Sequence, residues 1–266
     1  MRFDTHRNHQ RDRDKGRTSR DDTDDACQEE NRDEDEELAQ RHELSPTPEV
    51  FVMIARVADC AQMNLKTHWD TIYDKKAPDA VSWYRPHLET SLELIERVAT
   101  KRSASIIDVG GGESTLVDDL LIRGYSNLTV LDISQVAVDK TKERLGRASE
   151  HVRWLVGDVT RTKLKLSSYD VWHDRAVFHF LTSTEERLDY VRQVASAVTS
   201  GGHVIVSTFG LEGPTKCSGL DVVRYDADSL HDQFGVRFHL VGSAKELHQT
   251  PFGTVQQFLY CLCRVE

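Results

Sequence analysis

Ser105-Ile106-Ile107-Asp108-Val109-Gly110-Gly111-Gly112-Glu113-Ser114, followed by Val130-Leu131-Asp132-Ile133-Ser134, decides how this chain is read. In the first stretch an apolar run ends in an acid and three glycines, so a buried strand turns sharply where no side chain blocks a ligand. In the second, a strand ends in Asp132, a carboxylate suited to accept hydrogen bonds from ribose hydroxyls, with Ile133 beside it. The 24 positions from Asp108 to Asp132 are close to the roughly 20-residue spacing between glycine turn and ribose acid in one nucleotide-binding half. A dinucleotide turn needs G-x-G-x-x-G, but the sixth position counted from Gly110 is Thr115. The glycine that lets a helix pack closely under a pyrophosphate is missing, which disfavours nicotinamide and flavin cofactors.

Beyond Asp132 the pattern repeats. An amphipathic segment, 134–145, leads to the apolar run 152–156 and Gly157-Asp158-Val159. A further strand, Tyr169-Asp170-Val171-Trp172-His173-Asp174, is followed by a helix over about 184–198, by Gly201-Gly202 and by a strand over 203–209. Strands alternating with helical patterns imply βαβ units and a parallel sheet. Ligands of such sheets bind beyond the carboxyl ends of the strands, where Gly110, Asp132, Asp158 and Asp174 all fall. Two late segments, 236–241 and 255–265, are rich in β-branched and aromatic residues and flank a loop with Pro251 and Gly253, which predicts an edge hairpin.

Asp108-Val109-Gly110-Gly111-Gly112-Glu113-Ser114 resembles the D/E-x-G-x-G-x-G turn of class I S-adenosylmethionine (SAM) dependent methyltransferases. The likeness extends over about residues 66–266. It departs at Ser114, which either narrows the turn around the amino-acid part of the cofactor or caps the next helix. The resemblance implies SAM as cofactor, held by Asp108, Gly110, Gly112, Asp132 and Ile133, with Asp158 at the adenine amino group and Val159 alongside. It also implies an α/β, Rossmann-like seven-stranded sheet, mostly parallel with a C-terminal antiparallel hairpin and helices on both faces.

A second likeness lies at Asp174-Arg175-Ala176-Val177-Phe178, which is similar to the D-[KR]-[GA]-x-[FL] element of thiopurine methyltransferases and of lysine methyltransferases acting on citrate synthase and elongation factor. Methyl transfer is an in-line displacement in which positioning does most of the work. A base is required only when the acceptor arrives protonated. Asp174 and His173 are the candidates for that role; the alternatives are an Asp174-Arg175 ion pair closing the strand end and a purely hydrogen-bonded histidine. The element is shared by small-molecule and protein methylators. The expected acceptor is a small molecule, with a protein lysine as the alternative and a catalytically silent SAM-fold binding module as the third reading.

Before the first strand, Trp69 and Tyr73 lie four residues apart and share one helical face, either as a lid over the cofactor or as a face packed on the sheet. Trp83-Tyr84-Arg85 precedes a proline in extended backbone, where Arg85 is expected to pair with the cofactor's carboxylate. The glycine- and proline-punctuated stretch 210–224 is expected to cover the acceptor.

Residues 1–44 carry a net charge of −6 out of −10 for the 266-residue chain and very few apolar side chains. Such a segment cannot offset its ordering entropy. Residues 1–48 are therefore expected to be a disordered charged tail and 49–266 the methyltransferase domain. No apolar run approaches the roughly 18 residues of a membrane span. The expected location is the cytoplasm, with the nucleus as alternative. An acidic total disfavours nucleic acid as partner. The five cysteines form no C-x-x-C pair, so no metal site is expected. Nothing in the sequence fixes an oligomeric state.

Overall fold

The computed structural model describes residues 65–266; the expected tail, 1–48, and the first residues of the expected domain lie outside them. The described chain begins with a helix over 65–75, α1, and a short 3-10 turn at Pro78–Ala80. It continues as α2 (Glu89–Val98), β1 (Ser105–Val109), α3 (Leu116–Ile122), β2 (Asn127–Asp132), α4 (Gln135–Leu145) and β3 (Val152–Val156). Then come β4 (Tyr169–Arg175), α5 (Thr184–Ala197), β5 (Val198–Phe209), the two-residue strands β6 (Lys216–Cys217) and β7 (Leu220–Asp221), α6 (Ala227–His231), β8 (Phe238–Gln249) and β9 (Val255–Val265).

Seven strands form one sheet in the order β3-β2-β1-β4-β5-β9-β8. The first five are parallel, while β9 runs antiparallel to both β5 and β8. The order reverses between β1 and β4. A crevice opens there at the carboxyl ends, because the connections leave in opposite directions. Central strands of a parallel sheet are covered on both faces and read as continuous apolar runs. β1 and β4 fit that rule: Ile106, Ile107, Val109, Val171 and Trp172 are all at most 1% exposed.

Each face has its own core. On one side α5 presents Tyr190, Val194 and Ala197, spaced by four and three residues, to Trp172, Val204 and Leu259. On the other, Leu92 and Ile95 of α2 and Leu116 and Leu120 of α3 pack on Ile106, Val130 and Ile205. α5 starts at a capping box, with Ser183 accepting from the Glu186 N–H while the Glu186 carboxylate accepts from Ser183 N–H.

The late hairpin is longer than expected from sequence. β8 continues to Gln249 and β5 begins at Val198, upstream of Gly201-Gly202. Partner pairing overrides the weak strand propensity of Gly242-Ser243-Ala244-Lys245, since each faces a β9 residue across the ladder after a register shift between Leu240 and Gly242.

Trp172, Tyr190 and Asp174 form a buried chain: the indole N–H donates to Tyr190 Oη at 2.9 Å, and Tyr190 O–H donates to Asp174 Oδ2 at 2.6 Å. Replacing Tyr190 by Phe leaves a carboxylate and an indole N–H short of partners. Urea unfolding of Tyr190→Phe is expected to lose about 1–3 kcal/mol, and a loss below a few tenths would contradict the chain's importance.

Candidate active site

Two cavities meet at the carboxyl edge. The larger, about 380 Å³, is lined by Gly110, Leu131, Asp132 and Ile133 at the ends of β1 and β2, and by Asp158 and Val159 after β3. Trp69 and Tyr73 of α1, Trp83, Phe180, Arg175 and the β6–β7 turn close it from above. The smaller, about 50 Å³, lies between the glycine turn and the 78–88 segment and is bordered by Asp108, Gly111, Ser114, Arg85, His173 and Arg175. Gly112 borders neither and instead backs onto Tyr73.

The glycines are required by contact. A Cβ on Gly110 would lie 2.0 Å from Val177 Cγ2, and Gly110 has φ +68°, a region that L side chains rarely adopt. A Cβ on Gly112 would lie 2.6 Å from Tyr73 Oη and 3.2 Å from Asp132 Oδ2. The turn is therefore bare backbone facing a carboxylate, a cradle that fits a nucleoside cofactor. Asp132 is 5% exposed and accepts from Ser134 N–H at 2.8 Å. Burial pushes its carboxyl up to about 7, against the bonds from Ser134 and Gly112 N–H, and the nearby acids Asp108 and Asp70 add to the rise. Asp158 accepts from the Thr160 N–H and hydroxyl at 2.8 and 2.7 Å.

α1 is pinned to this edge. Ser134 Oγ donates to Asp70 Oδ1 at 2.7 Å, tying the helix to the start of α4. Trp69 then meets Trp83 and Phe180 at ring-centroid distances of 5.9 and 5.2 Å, both edge-on. Trp69 thus contributes to a roof over the cavity. The stretch 210–224 contributes Cys217, Leu220 and Asp221 to the same cavity, with Ser218 and Gly219 at positive φ making the tight turn between β6 and β7. Burial pushes the Cys217 thiol up to about 11, so it stays protonated.

The two candidate catalytic groups are occupied elsewhere. His173 is 1% exposed, with Nδ1 2.7 Å from Asp108 Oδ1 and Nε2 2.9 Å from Ser91 Oγ. Asp174 borders neither cavity. Its oxygens accept from Val177 N–H at 2.8 Å, Phe178 N–H at 3.1 Å and the Tyr190 hydroxyl. Those bonds hold a turn in which Ala176 takes φ +73°, a conformation costing roughly 1–3 kcal/mol without such support. Asp174 is thus held by the turn and lines neither cavity, whereas His173, with both nitrogens bonded, borders the smaller one. Asp174 does not pair with Arg175; the arginine bonds Tyr260 Oη and the Trp83 carbonyl. Arg85 pairs with Glu89 and Glu246 at 3.0 and 3.2 Å while bordering the smaller cavity.

Residues 106–202 match the family described as methyltransferase domain. The chain is 27% identical over 138 residues to the mouse (Mus musculus) eEF1A lysine and N-terminal methyltransferase, covering 52% of this chain and 19% of that protein. It therefore spans about a fifth of the length of that relative. It is 19% identical over 160 residues to mouse EEF1A lysine methyltransferase 2, covering 55% of this chain and 66% of that one. Among solved structures, a SAM-dependent methyltransferase from Anabaena variabilis superposes with TM-score 0.60 at 12% identity, over 77% of this chain and 95% of that one. The N-methyltransferase NodS from Bradyrhizobium japonicum, solved with S-adenosyl-L-homocysteine, gives 0.56 at 13% identity over 74% and 98%. The fold is that of Rossmann-like methyltransferases.

Asp132 gives a pH-dependent expectation. Ribose hydroxyls donate best to the ionised carboxylate, so binding must remove a proton from Asp132 below about pH 7. Calorimetric titration of S-adenosylhomocysteine is expected to strengthen from pH 5.5 to 7.5 and then level. Asp132→Ala should flatten that profile and lose about 1.5–3 kcal/mol at the upper end; an unchanged affinity in the folded variant would remove Asp132 from the ribose site.

Proposed function

We propose that this chain is a SAM-dependent methyltransferase and that it passes the methyl group to a small-molecule acceptor seated under the aromatic roof of the larger cavity. The observation that carries this reading is the roof itself. Trp69, Trp83 and Phe180 converge from three separate segments, and Cys217 and Leu220 supply a further apolar side. At about 380 Å³ the cavity is near the lower end of the roughly 300–1,000 Å³ typical of small-molecule sites. It suits a nucleoside cofactor plus a slender acceptor.

The cofactor supplies an electrophilic methyl group on a sulfonium. A lone pair of the acceptor would take that methyl group, with the sulfur–carbon electron pair leaving on sulfur as a neutral thioether. Asp132 and the bare turn at Gly110 orient the nucleoside, and the three rings exclude water. The carboxylates on the cavity each already hold a hydrogen-bond or ion-pair partner. Asp132 and Asp158 accept from Ser134 and Thr160, Glu186 accepts from Ser183, and Asp221 pairs with Lys216 at 2.6 Å. Burial and the nearby Arg175 charge push His179 down to about 3, and it is fully buried away from both cavities. The acceptor accordingly brings its own lone pair.

A second reading, transfer to a protein lysine, is favoured by the relatives named for eEF1A lysine methylation. Methyl-labelled SAM incubated with the protein and a cell extract, followed by separation of macromolecules from metabolites, distinguishes the two. Label should appear in the metabolite fraction and vanish with Asp132→Ala; label confined to protein would overturn the small-molecule reading.

A further inference from the structure

Arg175 ends β4 and borders both cavities, and no other lysine or arginine lines the larger one among the described residues. Its side chain is 6% exposed. Nε donates to Tyr260 Oη at 3.1 Å and Nη1 to the Trp83 carbonyl at 3.2 Å, while the guanidinium stacks over Phe258 at 4.2 Å. Nη2 is buried and donates to nothing: Glu246 Oε1 is 3.6 Å away, too far for a hydrogen bond. A guanidinium carries five N–H donors in a fixed fork, and burying a charged donor without an acceptor is expensive.

The carboxylate nearest to it is shared. Two guanidiniums, Arg85 and Arg175, share the single buried carboxylate of Glu246. Burial alone would raise the Glu246 carboxyl, yet the Thr90 hydrogen bond and the two arginines hold it below its ordinary value, so it is already ionised and fully counted. The other carboxylate on Arg85, Glu89, is 57% exposed and screened by water. His248, packed beside the cluster with Nε2 2.7 Å from the Ser82 carbonyl, is pushed down by burial and by the arginines and adds no negative charge. Arg85, 29% exposed, has Glu89 as a partner of its own, so Arg175 and Glu246 form the buried pair of the cluster, and within that pair Nη2 is left without an acceptor.

We infer that Arg175 is the recognition residue for an anionic group on the acceptor, so that the substrate class is a small organic acid with an apolar or aromatic body. The inference rests on the small-molecule reading and names its chemistry. Arg85 borders only the smaller cavity, between the glycine turn and Ser114, and is the cation left for the cofactor's own carboxylate. Arg175 faces the roof of Trp69, Trp83 and Phe180, where rings would hold the body of the acid.

The test uses benzoate, benzamide and benzylamine, three compounds of one shape and different charge, titrated onto the protein saturated with S-adenosylhomocysteine. Benzoate is expected to bind at least tenfold more tightly than either of the others. Arg175→Gln should abolish that preference and Arg175→Lys should restore part of it. Both variants should bind S-adenosylhomocysteine and 5′-methylthioadenosine as the native protein does, which also reports that they are folded. Equal binding of the three probes, or none of any, would overturn the proposal. So would an Arg175→Gln variant that weakens S-adenosylhomocysteine while sparing 5′-methylthioadenosine, because only the former carries a carboxylate. Probe binding requires no turnover, so its failure is distinct from a labelling result that assigns the acceptor to protein.

Discussion

The contact between Asp108 and His173 is the constraint on which the site depends. The two residues are register partners on β1 and β4, the strands that flank the crevice, and Asp108 Oδ1 lies 2.7 Å from His173 Nδ1. Both are almost fully buried. A buried charged group is tolerated only when its remaining capacity is satisfied. Here the far side of the imidazole meets Ser91 on α2, while Asp108 Oδ2 lies 2.8 Å from where a Cβ on Gly111 would stand. The pair therefore ties a helix to two strand ends, and its carboxylate leaves no room for a side chain at Gly111. Arg175, two residues beyond His173, inherits its position from the same strand.

The acids of the site are arranged in order of need. Asp108 is spent on His173, Asp174 on the turn that carries Ala176, and Asp70 on Ser134. Asp132 is different: it is buried with few donors, its carboxyl is pushed up to about 7, and it stands on the larger cavity. An ionisable group held out of water with unused acceptor capacity is what a ligand with paired hydroxyls would satisfy. The opposite imbalance exists at Arg175, a buried cation with unused donor capacity. One end of the cleft lacks donors and the other lacks an acceptor, and that polarity gives the cavity a direction.

Much of this was legible in the residues. The acid–glycine turn, the ribose acid 24 positions on and the regular alternation of strand and helix led to the right sheet, because apolar periodicity and glycine chemistry are local. Strand-end positions read from the sequence, Gly110, Asp132, Ile133, Asp158 and Val159, line one cavity together with Trp69. The failures were tertiary. Side-chain direction at a strand end is not written in spacing, so Asp174, beside an arginine in sequence, points into the α5 core toward Tyr190 instead. His173 faces Asp108 for the same reason. The reach of β8 to Gln249 was invisible because residues 242–249 have little strand propensity, yet Glu246 and His248 within it hold Arg85, Arg175 and the Ser82 carbonyl. A contact such as that of Ser82 with His248, 166 residues apart, has no signature in a single sequence.

The account's central claim is that the carboxyl ends of β1, β2 and β3 hold the adenosyl part of the cofactor beneath a roof of aromatic rings. A crystal structure of the protein soaked with S-adenosylhomocysteine tests it most directly. The account predicts both ribose hydroxyls within hydrogen-bond distance of the Asp132 carboxylate and the adenine beside Asp158 and Val159. A nucleoside bound away from these strand ends, or a cleft into which it does not bind, would contradict it.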